Sequence, residues 1–174
     1  VGAGPLDLPE EPFGLDVLMG AFSAGGLEKH SADDLRGVLA GHAVQAGFTS
    51  SSTAFGATYR TTPADLLLQL QVAAAYATAP GYRPEAERRW RESIVLSWPR
   101  LAANAQAVLR NTAIRDLMSG DLRFGTDPDD GVTARTFGEL REALSPVLEK
   151  GAVEIAIVGD FEEQTAIDAV ARTF

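Results

Sequence analysis

"SAGGLEKHSADDLRGVLAG", Ser23 to Gly41, decides how this chain is read. Gly25 and Gly26 stop an incoming helix, because glycine takes left-handed backbone angles without steric cost. Ser31 opens a second helix, and Asp34, three residues on, can reach back to complete a capping box. Leu35, Val38 and Leu39 form its apolar side, Gly41 ends it, and Gly37 inside weakens it slightly. Upstream, Leu15, Leu18, Met19 and Phe22 recur at i, i+3, i+4 and i+7, an amphipathic helix. Residues 1–12 hold Gly2, Gly4, Pro5, Pro9 and Pro12, which is loop chemistry, with the tail of a strand expected at Val1.

Downstream the period changes. Val44, Ala46 and Phe48 alternate with polar or small residues, as do Phe55, Ala57 and Tyr59. Ser50, Ser51 and Ser52 lie between, so residues 43–61 read as an antiparallel strand pair around a polar turn. Thr62 and Pro63 open a third helix, with Asp65 at its positive end. Leu66, Leu70, Ala73 and Ala77 share a side of it, and Pro80-Gly81 breaks it. Pro84 opens a fourth helix in which Trp90, Ile94 and Trp98 share a face; Pro99 is expected to end or kink it. A fifth helix is expected over 101–119, with Val108, Leu109, Thr112 and Leu117 inward. GDLRFGTDPDDG, 120–131, is a turn-rich loop. Thr136 and Glu139 are a second capping box and open a helix through Leu148. Val153, Ile155, Ile157 and Val158 read as a buried strand, and Asp160 as the cap of a last helix whose inner face is Ile167, Val170, Ala171 and Phe174.

This order implies one domain over 1–174 of the α+β class: an antiparallel sheet with helices packed on one face. The large apolar residue Phe174 at the end of that face suggests truncation or a partner. The thin sheet suggests a first strand that is incomplete at Val1.

Composition sets the outer limits. Of 174 residues, 45% are hydrophobic and 22% charged, enough for a real core. The net charge of -9 argues against nucleic acid and anionic membranes. The chain has no cysteine, which excludes disulfides and thiolate chemistry. No apolar run approaches a membrane span, and no signal peptide is seen.

Catalytic motifs are scarce. His30 and His42 are the two histidines; neither shares a helical face with a second ligand, and a helix C-terminus explains His42. The nucleophile elbow and the phosphate-binding loop are absent, and Gly2-Ala3-Gly4 is too short for a dinucleotide fingerprint. Asp127, Asp129 and Asp130 do not follow calcium-loop spacing. Glu85, Glu87, Arg88, Arg89, Arg91 and Glu92 read as a solvated helix face with i, i+4 pairs Glu85–Arg89 and Glu87–Arg91. Tyr59 and Arg60, with Arg123 and Phe124, are polar-aromatic pairs able to hold a peptide backbone, or ordinary edge and loop residues.

GGLEKHSADDLRGVLAG at 25–41, the strand pair after it, TTPADLLLQLQVAAAYATAPGYRPEAERRWRESI at 61–94, LRFGTDPDD at 122–130 and VEIAIVGDF at 153–161 occur in an order that resembles the insulinase/pitrilysin family of zinc peptidases. The likeness is to a later, non-catalytic half-domain of a long bacterial member. It implies the fold of mitochondrial processing peptidase. Active members carry H-x-x-E-H on the helix before the glycine turn. Anchored on Gly26 to Lys29, that motif falls on 17–21, so Val17 and Ala21 stand at the ligand positions and Gly20 at the base. Glu92 is nearest to the family's third ligand. The resemblance therefore implies an inactive domain without its own zinc. It would form one wall of a peptide-binding chamber and work with a zinc-bearing catalytic half of the same polypeptide or a partner subunit. Tyr59, Arg60 and Arg123 are its candidate peptide contacts, and the cell envelope the implied location. Two other readings stand beside it: a structural subunit with no part in proteolysis, and an unrelated carboxylate enzyme using Glu28, Asp33 and Asp34, which capping explains better.

Overall fold

The computed structural model describes Leu6 and residues 14–51, 54–121, 123–124 and 131–174. The expected loop at 1–12, apart from Leu6, and the aspartates 127, 129 and 130 lie outside these residues. Helix dominates. α1 spans Leu15–Leu18 and tightens into a 3-10 turn over Met19–Gly25. α2 is Ala32–Val38. The short strands β1, Thr49–Ser51, and β2, Ala54–Gly56, follow. α3 is Leu66–Thr78, entered through a 3-10 turn at Pro63–Asp65. α4 runs Pro84–Ala102, α5 Ala105–Val108 and α6 Ile114–Leu117, the last two joined by a π turn over Leu109–Ala113. α7 is Phe137–Lys150 and α8 Glu163–Ala171.

The expected antiparallel sheet with helices on one face is not formed. β1 and β2 pair as Thr49↔Gly56, Ser50↔Phe55 and Ser51↔Ala54, and no other strand joins them among the described residues. Ser50 and Ser51 thus belong to a strand, and Ser52, the third residue of the expected turn, lies outside the described residues. The first leg of the hairpin leaves the ladder where a helix offers it a partner. Gln69, buried on α3, donates from Nε2 to the Gln45 carbonyl at 2.8 Å and accepts from the Gln45 N–H at 2.8 Å. Its side-chain amide replaces a neighbouring strand. Residues 152–158 form no strand, and Val153 and Val158 are exposed, so the expected buried strand is not formed.

The main core surrounds the first helix. Leu15, Leu18, Met19 and Phe22 are all buried, as their spacing required. They pack with Leu27, Leu35, Phe55, Val72, Tyr76, Phe137, Leu140 and Leu144. Phe22 meets Phe48 edge-on at 4.8 Å and Tyr82 at 5.5 Å, a geometry in which ring edges face ring faces. A smaller cluster joins Leu66 and Leu70 of α3 to Ala166 and Ala169 of α8, with Ile157 and Phe161 against it.

Both expected capping boxes are present, Ser31 with Asp34 and Thr136 with Glu139. Four other expectations change. α4 does not end at Pro99 but continues through it to Ala102, and the missing N–H there costs a single helical bond. The expected fifth helix is interrupted at 103–104, where Asn104 caps α5, and Val108, Leu109 and Leu117 face outward rather than inward. Glu162, not Asp160, caps α8, accepting from the N–H groups of Gln164 and Thr165. The inner face of α8 is Ala166 and Ala169 with the expected Val170 beside them, while Ala171 is exposed and Ile167 and Phe174 are half exposed, because small residues let α8 lie close on α3.

The glycine turn is held by close approach. Gly26 has φ +67°, and a Cβ there would lie 2.6 Å from the His30 carbonyl oxygen and 2.7 Å from the Ala32 nitrogen. Gly26→Ala is therefore expected to destabilise the fold by about 2–3 kcal/mol in urea unfolding. Gly37→Ala is expected to be neutral or stabilising by up to ~1 kcal/mol, since space is open at a helix interior position. Equal losses at both sites would contradict this.

Candidate functional site

The helix before the glycine turn positions the residues aligned with the zinc motif. Val17 is half-buried, Gly20 exposed and Ala21 buried in the core. A branched hydrocarbon, a hydrogen and a methyl offer no lone pair, so these positions do not fit zinc. Glu92 is exposed on α4, whose helix packs against the 3-10 turn that carries Gly20 and Ala21. Among the described residues no group of three or more histidine, aspartate or glutamate side chains is placed to hold a metal ion. Glu28, Asp33 and Asp34 do not converge on one catalytic point either. Asp34 accepts from the Ser31 N–H at 2.9 Å and from Ser31 Oγ at 2.7 Å, and these bonds hold its carboxyl below the usual range. Asp33 pairs with Arg36 at 2.9 Å on the surface.

The three candidate peptide contacts stand in different settings. Tyr59 lies on the leg after β2, half-buried, and donates its hydroxyl to the Gly47 carbonyl at 3.1 Å. Burial pushes that hydroxyl up to about 12, so it stays a donor. Arg60, next to it, is exposed. Arg123 follows α6, bonds Asp121 at 2.7 Å and donates to the Leu6 carbonyl at 3.1 Å. Its guanidinium is engaged in holding its own loop. Of the two arginines, Arg60 presents its charge more openly. Phe124 is half-buried beside Arg123.

Two polar clusters depend on partners far apart in the sequence. Arg83 donates from Nη1 to the carbonyls of Gly25 at 2.7 Å and Leu27 at 2.6 Å, and from Nη2 to Glu28 at 3.2 Å. It fixes the glycine turn onto the α3–α4 connection. The second is built on Asp65. His42 Nδ1 lies 2.7 Å from Asp65 Oδ1, and the Ala43 N–H and Thr62 hydroxyl donate to Oδ2 at 2.8 and 3.1 Å. His42 therefore faces the start of α3, rather than serving only the end of α2. The bond from Ala43, then those from His42 and Thr62, lower the Asp65 carboxyl from 3.8. Glu87 and Arg91 are likewise more than a solvated face. Glu87 accepts the Phe137 N–H at 2.7 Å, while Arg91 bonds Glu87 at 2.8 Å and the Thr133 carbonyl at 2.8 Å, tying α4 to the start of α7.

No family model matches the chain, and no curated protein matches it. Among the described residues no helix is long and apolar enough to cross a membrane.

The Asp65 cluster makes a pH prediction. Its carboxyl titrates lower when folded than the value of 3.8 that it has unfolded, so the unfolded chain takes up the proton first. The stability it contributes is complete above that unfolded value and is lost as pH falls through the depressed folded one. Asp65→Asn is expected to flatten the acid limb of the stability–pH curve below about pH 4, read by thermal unfolding. An unchanged acid limb would show that Asp65 is not coupled to folding.

Proposed function

We propose that this chain is a non-catalytic domain related to insulinase-type zinc peptidases, forming part of a peptide-binding wall and working with a separate zinc-bearing catalytic half. The observation that carries this reading is the helix–glycine turn–capped helix unit of 14–38. It is locked against α3 and α4, but bears Val17 and Ala21 where active members carry metal-binding histidines and Gly20 where they carry the glutamate that acts as base. The unit is kept as packing while the chemistry is missing. Arg60, exposed beside the anchored Tyr59, is the residue best disposed to meet a peptide carbonyl or C-terminal carboxylate.

A second reading, a structural subunit with no part in proteolysis, draws on a different observation. Leu96, Leu109 and Leu117 on the α4–α6 stretch are 75%, 61% and 80% exposed. Apolar side chains gathered on one chain segment favour contact with another protein.

The purified chain, loaded with zinc and dialysed, is expected to retain no stoichiometric zinc and to leave a mixed peptide pool uncut. One zinc per chain with cleavage would overturn the reading. With a catalytic partner present, Arg60→Ala is expected to raise KM about three- to tenfold with little change in kcat. An unchanged KM would leave the structural-subunit reading standing.

A further inference from the structure

We draw no further inference here: the strongest candidate, the exposed apolar side chains Leu96, Leu109 and Leu117 of the α4–α6 stretch, carries none, because nothing in the structure shows what covers them.

Discussion

The Arg83 guanidinium, set among the carbonyls of Gly25, Leu27 and Glu28, is the contact on which the remaining packing depends. A tight turn points carbonyls inward that no helix or strand can satisfy, and leaving them unpaired costs more than making the bonds gains. Arg83 supplies three donor contacts from one planar group. The same two segments are joined by the Gly81 N–H to the Gly26 carbonyl at 2.8 Å and the Glu28 N–H to the Ala79 carbonyl at 2.9 Å. Tyr76 adds its hydroxyl to the Ser23 carbonyl at 3.0 Å. Such closeness needs glycine: a Cβ on Gly81 would collide with the Gly25 carbonyl and the Arg83 side chain. Tyr82 takes φ +43°, a strained value for a bulky residue, and its ring bridges Phe22 and Phe137. The lock and the aromatic core are thus built by neighbouring residues.

Local signals were legible in the sequence wherever a few adjacent residues decide the outcome. Ser31 with Asp34, Thr136 with Glu139 and Thr62 before Pro63 cap helices as their spacing implies, because capping acts within one turn. The buried stripe of Leu15, Leu18, Met19 and Phe22 is equally local. What was not legible depends on distant partners. Alternation at 43–48 and 153–158 signals strand preference, but a ladder needs a neighbour. Gln69 takes that role for Gln45, and helices α3 and α8 supply one face and no backbone partner for 152–158. On α8, Ile167 and Phe174 are the larger residues, but the contact with α3 selects Ala166 and Ala169, with only Val170 of the expected face packed beside them.

The same division runs through the candidate site. Absence of metal-binding side chains at Val17, Gly20 and Ala21 can be read directly from residue types. The settings of Tyr59, Arg60 and Arg123 cannot. Tyr59 is anchored to Gly47, Arg123 serves its own loop through Asp121, and Arg60 is left outward. The His42–Asp65 contact spans 23 positions and has no spacing that marks it. It joins the residues just after α2 to the start of α3.

Native-state hydrogen exchange at Leu27, Glu28 and Gly81 tests the central claim most directly. Their amides donate to His30, Ala79 and Gly26 respectively, within the lock. If the lock organises the fold, these amides exchange only through global unfolding, with the same denaturant dependence as the buried α7 position Leu144. Exchange through a local opening, at a free energy well below that of Leu144, would mean that the core stands without the turn and that the account is wrong.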